Sequence, residues 1–490
     1  MNKLHDPLRK VPREIASKIF ECEYAFDAYD EPSKDPFALG AVCRSWRAIA
    51  WSTPAIWSHV SFCINPPGLE DELPTRLELL GPYFDRSRAL PLSIRVYTNN
   101  RFQFVQDNQA IERLIEILYE CVERWHTLHL QIPVAFLPFF KRRFLDVPPS
   151  VFKLKSLSLL IVEELRGQIN LDLTPMSSNL QRLYLDGTAL TLDSLKVNHA
   201  HLTHVTGWSS VDSWMKLFIA SPLLEEVDLF EEYPNYMVST FGPANAITHE
   251  SLKSLKVTFT YQSPHIDTLF KYSTFPNLNT LLFDSVNCHF EALPSFLGQI
   301  RALKVLELWN LISSGTEFAR LLPKLPQLEE LSIHQVHRMS ATDLFNAVFQ
   351  PEDSLNSDKQ VAAQLPNLVS FHYNGSWEKN DHWSFLCHLG NFHCARINLP
   401  LSSSSRPPPP INQRWPKLRK ISAKVNYFSP RDQAPGKIEK FLDEELLQVA
   451  QRLQTEGIEI SVSFHGIGID ISDLVEESAK ERERIRNNAT

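Results

Sequence analysis

One six-residue word, repeated along the chain, constrains the fold more than anything else in it. A leucine, two variable residues, an apolar residue, one variable residue and a second apolar residue recur from Leu154, Leu180, Leu224, Leu252, Leu278, Leu303, Leu328, Leu368 and Leu418. Weaker copies start at Trp125, Leu202 and Ile397. Successive starts differ by 26 residues (154 to 180), 28 (224 to 252), then 26, 25 and 25. A period of that size means one small unit stacked many times. Residues two apart on a strand share a face, so the last two apolar positions of each word point into a common core and the residue between them points out. One unit cannot bury its strand alone. Stacking gives a parallel sheet with strands about 4.8 Å apart, on the concave side of a curved array, and helices or loops behind it.

Segments between words read as helices over Val211 to Ala220, Glu291 to Ile300 and Thr316 to Leu322. Ile111, Leu114, Ile115, Leu118, Cys121 and Val122 repeat a helical stripe just before the Trp125 word. Leu92, Ile94 and Val96 alternate as a strand, which puts the start of the array near residue 90. Two breaks mark insertions: the interval from Leu328 to Leu368 is 40 residues and holds a polar stretch at about 350–360, and residues 401–410 are a Ser/Pro loop. Ile458 to Phe464 alternates as a last strand, and residues 471–490 form a charged helix or tail.

The N-terminal region has a different period. Val11 to Phe20 carries Pro12 where a first-turn N–H lacks a partner, with Ile15 and Ile19 one turn apart. From Leu39 to Ala50 the apolar residues Leu39, Val42, Cys43, Trp46, Ile49 and Ala50 form one stripe, predicting a single helix. A third helix is expected with Thr53 as cap, Pro54 at its first position, and Ile56, Trp57 and Val60 on its apolar side. Three helices in about fifty residues leave apolar surface that wants a partner.

These residues carry a resemblance. Val11, Pro12, Glu14, Ile15, Ile19 and Phe20, then Val42, Cys43, Arg44, Trp46, Arg47, Ile49 and Ala50, then Thr53, Pro54, Ile56 and Trp57 resemble an F-box of the kind found in large fungal F-box families. The match covers about a tenth of the chain. Val11 stands where leucine is usual, and the segment from Glu21 to Pro36 is longer and more acidic than a typical first interhelical loop. The repeats resemble the irregular leucine-rich repeats that follow an F-box. Regular arrays carry asparagine or cysteine three positions after the word, where this chain has Thr188, Leu311 and Val336, so a buried polar ladder is not maintained.

The expected fold is therefore α/β. A tail (1–9) precedes a three-helix F-box (10–62), a connection (63–89), the curved repeat solenoid (90–470) and the charged end (471–490). The resemblance implies a substrate-receptor subunit of a cullin-type ubiquitin ligase. Pro12, Ile15, Ile19, Val42, Cys43, Trp46 and Trp57 would bind a Skp-family adaptor, and through it cullin. Out-facing residues of the array would bind an unknown protein target, with Tyr184, Phe230, Trp309, His334 and His372 as candidates, since aromatic residues anchor interfaces. The alternative is a repeat scaffold whose F-box-like helices only cap the array.

Other classes find little support. The formal charge of -8 argues against nucleic acid or an anionic membrane as the main partner. The N-terminus lacks a signal-peptide core and no run of eighteen apolar residues occurs, so a cytoplasmic or nuclear location is expected. The seven cysteines are scattered, which suits reduced thiols. No phosphate-loop, dinucleotide, zinc-protease or nucleophile-elbow motif is present, and 15 glycines supply few close backbone approaches, so no enzyme and no cofactor is expected. Cys387, His388, His393 and Cys394 cluster but lack the second pair that a zinc site draws on, so no metal is expected.

Overall fold

The computed structural model describes residues 7–24, 36–64, 73–98, 108–144, 147–162, 169–186, 190–231, 242, 246–259, 265–285, 292–310, 324–334, 365, 367–376, 419–426, 444–455, 457–464 and 467–489. It divides into two units, Met1–Glu225 and Glu226–Thr490. Both are α/β and solenoid-like, built on parallel strands one repeat apart. The expected helix over 316–322, the 350–360 stretch, the 401–410 loop and the Cys387 to Cys394 cluster lie outside the described residues, as do Thr188, Leu311 and Val336.

The first unit opens on four helices, α1 (Arg13–Glu23), α2 (Pro36–Val42), α3 (Arg44–Trp51) and α4 (Pro54–Trp57). The helix expected from Leu39 to Ala50 is thus two. Cys43 is extended (φ -162°, ψ 173°) and its Sγ accepts from the Trp46 N–H at 3.5 Å, so a thiol caps α3 and ends α2. Thr53 has no side-chain cap bond at α4; its Oγ1 donates instead to the Ile49 carbonyl at 2.8 Å.

Only one residue separates α4 from the first strand, His59–Cys63, which pairs in parallel with Leu92–Tyr97. The ladder therefore starts at His59, not near residue 90, and Val60 belongs to it rather than to the third helix. It continues through Trp125–Ile132, Ser156–Ile161, Arg182–Asp186 and His204–Trp208. Matched register stacks the apolar positions into rows. Val60, Ile94, Leu128, Leu157, Leu183 and Val205 form one, and Phe62, Val96, Leu130, Leu159 and Leu185 the next, all buried. Each buried side chain of this size contributes about 1.5–3 kcal/mol. Helix Leu137–Phe144 closes the core behind, with Phe144 4.8 Å from Trp125 and 4.6 Å from Phe140, ring centre to ring centre.

The second unit repeats the device with Glu226–Glu231, Ser254–Phe259, Thr280–Ser285, Val305–Trp309, Glu330–His334, Ser370–Ser376, Lys420–Asn426 and Glu459–Phe464. Val227, Leu255, Leu281, Leu306, Leu331 and Phe371 form one buried row and Leu229, Val257, Phe283, Leu308, Ile333 and Tyr373 the other. Helices Ile266–Tyr272 and Leu293–Gln299 pack behind through Phe270, 5.6 Å from Phe283 and 4.8 Å from Phe296.

Near the end, helix Glu444–Thr455 stops at Gly457, whose φ of +77° suits glycine, and the Gly457 N–H closes on the Gln454 carbonyl at 2.9 Å. Glu459–Phe464, expected to be the last strand, is followed by Ile467–Asp470, which pairs with it antiparallel and leads into helix Ile471–Ala489. Among the described residues no helix is long and apolar enough to cross a membrane.

Candidate binding surfaces

On α1, alternate helical faces do different work. Ala16 and Phe20 are buried, and Phe20 meets the half-buried Trp46 at 5.3 Å. Arg13 clamps this side, its guanidinium donating to the Ala48 carbonyl (3.2 Å) and the Ser52 hydroxyl (2.5 Å). The opposite side carries Ile15 and Ile19, which stay 52% and 48% exposed, one turn apart. Pro12 is exposed at the helix start. Val42 at the end of α2 is 36% exposed, and Cys43 is half-buried at its cap position.

Trp57, expected with these, is fully buried. Its Nε1 donates to the Ala50 carbonyl at 2.8 Å, and its ring meets Phe37 at 5.2 Å and Tyr83 at 5.1 Å, with the Arg86 guanidinium 4.8 Å above it. It is core and cannot bind a partner. Tyr83 and Arg86 come from helix Leu80–Arg86, so the expected connection at 63–89 completes the helical core. An apolar residue missed in the sequence is Trp51, 46% exposed at the end of α3 with Arg86 5.0 Å from its ring. Its place at the last turn of the stripe was the available signal.

The out-facing candidates fall in both units. Tyr184 is half-buried in the first unit, its hydroxyl donating to Asp186 Oδ2 at 3.4 Å. In the second unit, register sets Phe230, Thr258, Asp284, Trp309, His334 and Asn374 in one row, and Asp228, Lys256, Leu282, Glu307, Ser332 and His372 in the next. Trp309 and His334 stack at 4.0 Å and 13°. Glu307 Oε1 ties both rings, accepting from Trp309 Nε1 at 2.6 Å and lying 3.4 Å from His334 Nε2. The His334 bond holds the Glu307 carboxyl below its usual range, against burial. His372 meets the Ser370 hydroxyl at 2.9 Å, and burial, then Lys420, lowers its pKa.

Phe230 stands apart from that stack, under the Lys256 ammonium at 5.2 Å. Lys256 also donates to Asp228 at 3.0 Å, yet burial outweighs it and raises the Asp228 pKa. Asn310, in the left-handed region at φ 56°, donates from Nδ2 to Asp284 at 2.7 Å. The stack, its carboxylate and the adjoining pairs make a rigid polar and aromatic surface. No group of three or more metal-ligating side chains occurs among the described residues.

No protein-family model matches the chain and no curated protein matches it. A solved Bacteroides fragilis protein from a structural-genomics programme is similar at 15% identity and a TM-score of 0.25, over 52% of this chain and 61% of that one. The chain thus spans about three fifths of that protein's length, and so loose a superposition carries no argument.

Proposed function

We propose that the chain is a substrate-receptor subunit of a cullin-type ubiquitin ligase, an F-box joined to irregular leucine-rich repeats. The observation that carries this reading is the outward pair Ile15 and Ile19. The helical unit already has a core in Phe20, Ile49, Ile56 and Trp57, and two isoleucines one turn apart on its outside keep about half of their surface uncovered by it. They suit the face of a Skp-family adaptor. The repeats would hold a target protein beside the ubiquitin-carrying enzyme and act by raising effective concentration, with no catalytic residue in this chain. Trp309 and His334, already fixed by Glu307, supply a preorganised aromatic anchor for such a target.

Co-purification with the adaptor tests the reading. Ile15→Asp with Ile19→Asp should abolish retention while leaving the unfolding midpoint unchanged, because neither side chain is in the core. Retention that survives both changes sinks the interface, and no retention by the unaltered chain sinks the function.

A second reading has its own support, since α4 runs almost directly into the first ladder strand. Here the helices only cover the end of the array. It predicts that removing residues 1–57 destabilises the ladder and that no adaptor is ever retained.

A further inference from the structure

We propose that the out-facing row Ser61, Arg95, His129 and Ser158 in the first unit binds a phosphate-class oxyanion. The four residues sit on consecutive strands at matched register, Ser61 opposite Arg95, Arg95 opposite His129, and His129 opposite Ser158. At about 4.8 Å per strand the row spans about 14 Å. Three of its members carry a buried polar atom with no hydrogen-bond partner in the protein: Ser61 Oγ, His129 Nε2 and Ser158 Oγ. Leaving such atoms unbonded costs stability, and three in one line are not accounted for by the fold.

Every member can donate. Arg95 adds a fixed positive charge, its guanidinium 5.1 Å from the Tyr97 ring centre. Burial, then Arg95, lowers the His129 pKa to about 4, so the imidazole is neutral near pH 7 and can offer one N–H without further charge. The neighbouring rows bring His59, Ser93, Thr127 and Ser156 on one side and Cys63, Tyr97, Gln131 and Leu160 on the other. None of these residues is a carboxylate. The residue that follows in the latter row is Asp186, already bonded by the Tyr184 hydroxyl.

Such a row of donors without acid selects an anion. A carboxylate would be saturated by the arginine fork alone, whereas the three terminal oxygens of a phosphate reach that fork and a donor on either side. All four residues are half-buried, so turning a serine about χ1 brings its hydroxyl toward the surface without moving the backbone. The site does not depend on the ligase reading. If that reading holds, the phosphate belongs on the target.

The test uses the full chain. Sodium phosphate should raise the unfolding midpoint more than sodium chloride at equal ionic strength, and should shift the His129 ring resonances at fixed pH. Arg95→Gln and Ser61→Ala should each weaken phosphate binding by about tenfold or more by calorimetry. Ser61→Ala should at the same time raise the midpoint of the anion-free protein, because it deletes an unbonded hydroxyl, and this keeps the test decisive if Arg95→Gln fails to fold. A phosphate effect no larger than that of chloride, or equal in both variants and the unaltered chain, overturns the site. A phosphoserine peptide and its unphosphorylated form identify the source. Tighter binding than inorganic phosphate assigns a carried phosphate, and equal binding a free ion, both in support; binding independent of the phosphate overturns it.

Discussion

The two units use one backbone plan and opposite surface chemistry. In the first, the described out-facing positions hold Arg95 and Arg182 against Asp186, and Ser61 Oγ, His129 Nε2 and Ser158 Oγ are left unbonded. On its parallel strands the second holds Glu226, Asp228, Asp284, Glu307, Glu330 and Glu459 against Lys256, Lys420 and Lys424, and Asp228, Asp284 and Glu307 each accept a hydrogen bond from a neighbouring side chain. Since the interior rows are built alike, the difference comes from single letters between core positions. The repeat separates stability from surface chemistry: the inward residues hold the fold, and the outward ones set the charge and polarity of the face.

The largest expected effect tests the shared half of that statement. Leu183→Ala and Leu281→Ala remove matching interior leucines from the two units, and each should cost about 2–5 kcal/mol in urea unfolding. A surface-like cost of under about 0.5 kcal/mol in one unit would break the likeness of the cores. Next comes pH. His129 has its folded pKa depressed from 6.5 to about 4, so protonation favours the unfolded chain. Its contribution is intact above pH 6.5 and lost as pH falls toward 4, by up to about 3 kcal/mol, and His129→Gln should flatten that window.

Smaller effects belong to the paired face. Glu307→Gln should cost about 1 kcal/mol at pH 7 and red-shift Trp309 emission. Because the Glu307 carboxyl is held low when folded, its stabilisation is present above the ordinary carboxylate range and lost as pH falls through the folded value. The deficit of the variant should therefore shrink on acidification. Lys256→Met should change stability by less than about 1 kcal/mol, since this ion pair is partly solvated. It should nevertheless raise the Asp228 pKa further, as carboxyl NMR would record.

Much of the ladder was legible, because strict alternation at a 25 to 28 residue spacing has few other physical meanings. The same alternation identified Trp309 and His334 as out-facing. Other features were hidden for particular reasons. His59 to Cys63 is only five residues long and abuts a helical stripe, so its period of two was absorbed into the helix before it. Cys43 ends α2 through a thiol acceptor, a cap that apolar patterning counts as core. The F-box resemblance puts Trp57 at the interface, yet its neighbours Tyr83 and Arg86 lie in a segment with no recognisable word. Ser61 and Ser158 gave no signal, since an unbonded hydroxyl is a property of packing, not of residue type.

The reversed strand Ile467–Asp470 has a consequence for how the array ends. A parallel ladder can in principle template another strand of the same polarity along its exposed edge, as fibrils do. Here Glu459–Phe464 is followed two residues later by a strand of opposite direction, hydrogen-bonded where the next repeat would dock. Growth by addition of another parallel repeat is thereby terminated within the chain itself. Deleting residues 467–489 should uncover the edge of Glu459–Phe464 and make the chain more prone to edge-to-edge polymerisation, which light scattering would record.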